Sequence, residues 1–170
     1  MKRIYTFGHE QVERNLTVGD IIENKANDIK MTQVTAQNAQ EAEILADQDI
    51  DMIITGSDWY EDVRSGAPNT FITAALFAGR YITNEEILEG AFKAAMAGAD
   101  SVLTPRGMDV VEMLSNQGFA VQGHVGMVPS LSTQYGGIRT LGKTAEEAMK
   151  ILKDMKSCLL YTSPSPRDNR

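Results

Sequence analysis

From Thr17 onward, apolar positions alternate between short unbroken runs and longer stretches spaced three and four residues apart. The first kind predicts buried strands and the second amphipathic helices. Thr17-Val-Gly-Asp20 reads as an N-cap with an acid three residues on, opening a helix over residues 20–27. Residues 31–35 form a brief β-prone run, and 39–47 a helix with Ala42, Leu45 and Ala46 on one face. Met52-Ile-Ile-Thr55 is apolar without alternation, the pattern of a strand covered on both faces. Gly66-Ala-Pro-Asn69 carries turn chemistry, and residues 70–76 predict the next strand. Thr83-Asn-Glu-Glu86 is a capping box. It opens a helix in which Ile87, Leu88, Ala91, Phe92, Ala95 and Met96 recur at helical spacing up to Gly98. Residues 101–104 predict a fourth strand, 108–117 a helix stopped at Gly118, and 119–121 a fifth strand leading to His124. A second capping box, Thr144-Ala-Glu-Glu147, opens the last helix, which runs through Lys156. Repeated strand-then-helix units predict a parallel sheet with right-handed crossovers. The rhythm alone fits a barrel and an open sheet equally; in both, ligands bind at the C-terminal ends of the strands.

Composition narrows the partners. The 170 residues, 42% hydrophobic, suit one globular domain, and no apolar run approaches the roughly 20 residues that span a bilayer. The start, Met1-Lys-Arg-Ile-Tyr-Thr-Phe-Gly-His9, is basic but lacks the apolar core of a secretory signal. A net charge of −7, with no basic cluster, argues against nucleic acid and anionic membrane surfaces as partners. One cysteine, Cys158, allows neither an internal disulfide nor a cysteine-based metal site, so the expected compartment is the cytoplasm.

Gly123-His-Val-Gly-Met-Val-Pro129, followed by Tyr135-Gly-Gly-Ile-Arg-Thr-Leu-Gly142, places a histidine and two glycine pairs where a strand opens into a loop. This segment resembles the Gly-His-x-Gly-Leu-Thr-Pro and Phe-Gly-Gly signature of the ketopantoate hydroxymethyltransferase family. Further likenesses keep the family's order: Val34-Thr-Ala36, Met52-Ile-Ile-Thr-Gly56, Val63-Arg-Ser-Gly-Ala-Pro-Asn69 and Ala97-Gly-Ala-Asp100. The resemblance covers residues 17–157. It implies a (β/α)8 TIM barrel of the phosphoenolpyruvate/pyruvate superfamily type, of which about five βα units are present. It also implies a hydroxymethyl transfer from methylenetetrahydrofolate to 3-methyl-2-oxobutanoate, in pantothenate biosynthesis, assisted by Mg2+ and carried out by a homo-oligomer when full length.

The site residues carry over unevenly. The family's Gly-Asp-Ser reads Gly56-Ser57-Asp58, so Ser57 stands in the metal-ligand slot and Asp58 comes one residue late. One residue along a strand turns the side chain to the other face, and only loop relaxation would bring Asp58 back as a metal ligand. The second acid position holds Ala75, and the Lys-x-Glu-Gly of the fourth strand reads Leu103-Thr-Pro-Arg-Gly107, where Arg106 offers an anion contact. Ser57 and His124 are the candidate substrate-binding residues and Asp58 the candidate metal ligand. The family's general base falls outside this sequence, so no catalytic residue is assigned. Each candidate has a plainer alternative: His124 and Ser57 bonding backbone, and Asp58 as a solvated loop acid beside Trp59 and Tyr60.

Cys158-Leu-Leu-Tyr-Thr-Ser-Pro-Ser-Pro-Arg-Asp168 breaks the preceding helical pattern and is similar to the translation of a transposon-end sequencing adapter. Residues 1–157 are therefore expected to be an incomplete barrel domain and 158–170 a non-native tail, with a disordered Ser/Pro tail as the other reading. With acids missing from the expected slots, the alternatives to the transferase are a family member without Mg2+-dependent catalysis, acting as a binding or scaffold subunit, and a related carbon–carbon lyase or mutase on another oxo acid.

Overall fold

Five parallel strands alternate with helices along the chain, preceded by a two-stranded antiparallel hairpin. The computed structural model describes residues 1–162, with side chains through residue 159. Two compact units partition the chain, Met1–Leu103 and a second beginning at Thr104.

In the first unit, β1 (Lys2–Tyr5) and β2 (Gln11–Arg14) form the hairpin. Then come α1 (Val18–Ala26), β3 (Gln33–Thr35), α2 (Ala39–Ala46), β4 (Met52–Gly56), α3 (Tyr60–Gly66), β5 (Phe71–Ala75), α4 (Asn84–Met96) and β6 (Ser101–Thr104). The capping boxes at Thr17/Asp20 and Thr83/Glu86 both form, each satisfying otherwise unpaired N–H groups at a helix start. Strand register puts Thr35, Ile54, Thr73 and Ser101 in one row, and Gly56, Ala75 and Leu103 in the next row on the same face. On the opposite face Ile53, Ile72 and Ala74 pack with Ala42 of α2 and Tyr60 and Val63 of α3 in a core of buried residues. This is the division of a βα barrel strand, one face toward the helices and one toward the strands' own interior.

Tight spacing fixes α2 against α3. A Cβ on Gly66 would lie 2.0 Å from the carbonyl oxygen of Ala39, so only glycine lets the two backbones approach this closely. At the N-terminal ends of β5 and β6, Asp100 accepts from Arg14 Nε (2.7 Å), from Arg64 Nη2 (2.7 Å) and from the backbone N–H of Ile72 (2.9 Å). Both guanidinium groups also donate to the Gly98 and Pro68 carbonyls. Arg14 is 2% exposed, the Asp100 side chain 6% and the Arg64 side chain 14%, so the cluster is largely shielded from water. Burial pushes the neighbouring Tyr60 phenol above its ordinary pKa, against the lowering effect of Arg64, which donates to its oxygen at 3.1 Å.

In the second unit, α5 (Met108–Asn116) precedes β7 (Val121–Gly123), a 3₁₀ segment (Pro129–Tyr135) and α6 (Ala145–Thr162). Gly118 ends α5 at φ +88°, the left-handed conformation that favours glycine. The helices of this unit pack on each other and on β7, with Val110, Val111 and Leu114 buried.

Several elements depart from the sequence expectation. The hairpin and α3 are elements that the apolar periodicity does not predict. The fifth strand is Val121–Gly123 rather than 119–121, because Phe119 follows Gly118 in the turn that closes α5. The buried face of α4 is Ile87, Gly90, Ala91, Ala94 and Ala95; Phe92 and Met96 lie toward solvent, with Phe92 edge-on to Phe7 at 5.5 Å. The last helix does not stop at Lys156 but continues to Thr162, so residue 158 marks no break in the helix, and Cys158 Sγ packs against Gly123. Most of the adapter-like segment, residues 163–170, lies outside the described residues.

Two substitutions test this frame. Asp100→Asn leaves two buried guanidinium groups short of charge, and should destabilise by about 3–5 kcal/mol, the usual cost of breaking a buried pair. Gly66→Ala should cost about 1–3 kcal/mol or more by forcing α2 and α3 apart. Urea-denaturation midpoints measure both, and a midpoint unchanged from the parent would contradict either account.

Candidate functional site

At the C-terminal end of β4 the Ser57 N–H donates to the Ala75 carbonyl (3.2 Å), the bond that closes the last β4–β5 pair, Gly56 with Ala75. The chain then turns, with the Trp59 N–H on the Gly56 carbonyl (3.1 Å), into the first turn of α3. Asp58 is thus the first residue free of the ladder, which is why its side chain does not take the place that position 57 occupies.

Two polar contacts join this turn to the loop after β5. Ser57 Oγ and Tyr81 Oη share a hydrogen bond of 2.7 Å. Asp58 Oδ2 pairs with Arg80 Nη1 at 2.5 Å, the carboxylate side chain 34% exposed and the guanidinium side chain 60%. Tyr81 is seated by Gly90 of α4: a Cβ there would fall 2.4 Å from the ring. Ser57, Asp58, Arg80 and Tyr81 line one side of a cleft of about 280 Å³, and Glu86, Glu89 and Lys93 of α4 line the other. Lys93 pairs with Glu89 at 2.8 Å, and that contact raises its pKa.

Above the strands the surroundings are apolar. The last row of the inward face is Gly56, Ala75 and Leu103, with Ala75 only 5% exposed. A side chain at Gly56 would meet the Phe77 ring at 2.8 Å and the Trp59 ring at 3.1 Å, so these two aromatics lie over the end of β4.

The second unit holds His124. It follows β7 directly, half-buried, and its backbone N–H donates to the Thr104 carbonyl (3.2 Å). The glycines of its motif have conformational reasons: Gly126 (φ +84°) turns the loop, and Gly136 (φ +73°) and Gly137 (φ +117°) end the 3₁₀ segment. Arg139 donates to Glu147 (2.6 Å), and that contact lowers the Glu147 pKa. Arg106, in the same unit, donates its backbone N–H to Thr104 Oγ1 (3.2 Å).

Residues 58–159 match the family model for ketopantoate hydroxymethyltransferase. The chain belongs to the ketopantoate hydroxymethyltransferase family. Among curated relatives, a 3-methyl-2-oxobutanoate hydroxymethyltransferase of Ignicoccus hospitalis is 29% identical over 85% of this chain and 64% of its own length. A second from Aliivibrio fischeri is 29% identical, covering 84% and 64%, and one from Kosmotoga olearia 30%, covering 83% and 62%. The chain therefore spans just under two thirds of the length of these relatives.

Family membership makes the fit of Mg2+ a question for these residues. Mg2+ demands hard oxygen ligands in near-octahedral array and usually takes one or two protein carboxylates. Where the resemblance implies acids, this chain has a serine hydroxyl bonded to Tyr81 and the methyl group of Ala75, and Asp58 Oδ2 faces the Arg80 guanidinium. Among the described residues, no group of three or more His, Cys, Asp or Glu is placed to hold a metal ion. These residues do not fit the ion.

The structure brings the candidates Ser57 and Asp58 into one cleft, and His124 belongs to the other unit. Sequence reasoning missed Arg80 and Tyr81. Their signal was present, since both sit in the loop after a parallel strand, where such folds place functional side chains.

Glu86 gives the cleft a pH dependence. Backbone N–H groups of Thr83 and Ile82 donate to its carboxylate and hold its pKa below the usual range. A carboxyl depressed in the folded state contributes stability that is full above its unfolded pKa and is lost as pH falls through the folded one. Acid titration of the thermal midpoint should therefore show a limb below the ordinary carboxylate range. Glu86→Gln should shrink that limb, and an identical profile for the two proteins would exclude this role for Glu86.

Proposed function

We propose that this protein is a diverged member of the ketopantoate hydroxymethyltransferase family that binds a small 2-oxo acid at the cleft beyond β4 and β5. The observation that carries this reading is the convergence of Arg80, Tyr81 and Ser57 on one cleft at the C-terminal ends of two parallel strands. A guanidinium, and the hydroxyl proton that the Ser57–Tyr81 bond leaves over, are donors suited to a carboxylate with an adjacent carbonyl. Ser57 keeps its proposed role as a substrate contact at this cleft, and His124 keeps its own as a candidate substrate contact of the second unit.

The family match favours a second reading, in which the protein retains hydroxymethyl transfer to 3-methyl-2-oxobutanoate, the acceptor in the relatives' names. That reading carries with it methylenetetrahydrofolate as donor, a place in pantothenate biosynthesis, a cytoplasmic location and a homo-oligomer. Ala75 and the Ser57–Tyr81 contact weigh toward binding without that transfer, because alanine and serine stand where the resemblance implies the carboxylates that would hold Mg2+. The same replacements are compatible with lyase or mutase chemistry on another oxo acid. Among the described residues no helix is long and apolar enough to cross a membrane.

One pair of measurements separates the readings. Calorimetric titration of 3-methyl-2-oxobutanoate should show saturable one-to-one binding, and incubation with methylenetetrahydrofolate and Mg2+ should yield no ketopantoate. Product formation would establish the second reading, and absence of binding with and without Mg2+ would sink the first.

A further inference from the structure

We infer that the Arg80 guanidinium, rather than a divalent cation, is the positive charge beside Ser57 and Asp58 in this cleft, and that Asp58 is its internal counter-ion, displaced when a ligand carboxylate arrives. The anion-binding half of this inference rests on the oxo-acid reading above; the metal half does not.

The argument starts from placement. Asp58 is the one carboxylate on the turn after β4, and its Oδ2 lies 2.5 Å from Arg80 Nη1. A cation held by Asp58 would sit beside the Arg80 charge, whose repulsion opposes its binding, and Asp58 alone supplies too few hard ligands. Ser57, in the slot next to it, shares its hydroxyl with Tyr81, which Gly90 seats against α4. The third position is the methyl of Ala75, and Phe77 and Trp59 lie over the end of the strand. No second acid remains on β4 or β5 to complete a cation site.

Charge balance gives the pair its function. Arg80 is 60% exposed and Asp58 34%, so the pair is open to water and weak enough to exchange partners. An incoming carboxylate can replace Asp58 on Arg80 through two parallel N–H···O contacts, and the released aspartate turns to solvent. Ser57 and Tyr81 are hydrogen-bonded to each other, so one hydroxyl proton of the pair is left beside the ligand as a further donor. Asp58 then acts as a competitor for the ligand's place, the reverse of a metal ligand's role.

Opposite signs follow for one substitution. If Asp58 competes, Asp58→Asn should tighten 3-methyl-2-oxobutanoate binding by roughly two- to fivefold in EDTA, the scale of one exposed ion pair. Arg80→Gln should weaken it by about tenfold, as loss of a charge-assisted contact does. If Asp58 held a metal, Asp58→Asn would weaken oxo-acid binding and abolish its enhancement by Mg2+. A gain in affinity cannot come from misfolding, which protects the test from that failure. In parallel, Mn2+ alone is titrated into the parent and Asp58→Asn proteins and its free-ion electron paramagnetic resonance signal followed. Equal signals in the two, with no stoichiometric loss, are expected. One equivalent of Mn2+ bound by the parent and not by Asp58→Asn overturns the inference. If no protein of the set binds the oxo acid, the proposed function and the role of Arg80 fall together, while the Mn2+ titration still decides the metal half.

Discussion

The first unit hangs on a single buried carboxylate. Asp100 ties Arg14 from the hairpin, Arg64 from α3 and the Ile72 backbone at the start of β5 into one point. Desolvating three charged groups is expensive, and mutual attraction repays it only when every lone pair and proton is used. Here the spare guanidinium protons reach the Gly98 and Pro68 carbonyls, groups in the loops that lead into β6 and β5. The cluster thereby satisfies backbone that has no ladder partner and fixes where both strands begin. The motifs Val63-Arg-Ser-Gly-Ala-Pro-Asn69 and Ala97-Gly-Ala-Asp100 are this device: Arg64, Gly66, Pro68, Gly98 and Asp100 all have a place in it or beside it. Their match to the family is a match of scaffold at the N-terminal ends of the strands.

Such a lock leaves the opposite ends of the strands free to change. Chemistry in a βα fold sits at the C-terminal ends, stability at the N-terminal ones. In this chain the N-terminal ends carry the Asp100 lock, and at the C-terminal ends Ser57 and Ala75 stand where the resemblance implies acids while Trp59 and Phe77 bring rings over Gly56. Swapping a charged side chain for a methyl in a nearly closed apolar row removes a desolvation cost and so carries no structural penalty. The fold does not resist this kind of drift.

Legibility in the sequence followed the range of the interactions involved. The boxes at Thr17 and Thr83 and the stop at Gly118 were legible because the decisive contacts lie within four residues. The runs at Met52 and Phe71 were legible because strands covered on both faces cannot hide their apolarity. Helix α3 was not: Tyr60-Glu-Asp-Val-Arg-Ser-Gly66 has no capping side chain at Trp59, and its helicity depends on Tyr60 and Val63 finding the core and Arg64 finding Asp100. The hairpin was missed for the same reason, since the buried Arg14 that anchors it reads as a solvent-facing charge until its partner, 86 residues on, is known. The face of α4 was misjudged because Gly90, an apparent blank in the pattern, is the groove that receives Tyr81.

That groove also explains why the site was only half visible. Ser57 and Asp58 could be singled out from the sequence because they occupy a motif, but their partners occupy none. Tyr81 reaches Ser57 only because position 90 lacks a side chain, and Asp58 meets Arg80 where the chain leaves β4 after its last ladder bond, donated by the Ser57 N–H. The alternation rule that separates Ser57 from Asp58 therefore applies up to that last ladder bond and no further. Beyond it the direction of Asp58 is set by charge, and the charge it meets is Arg80.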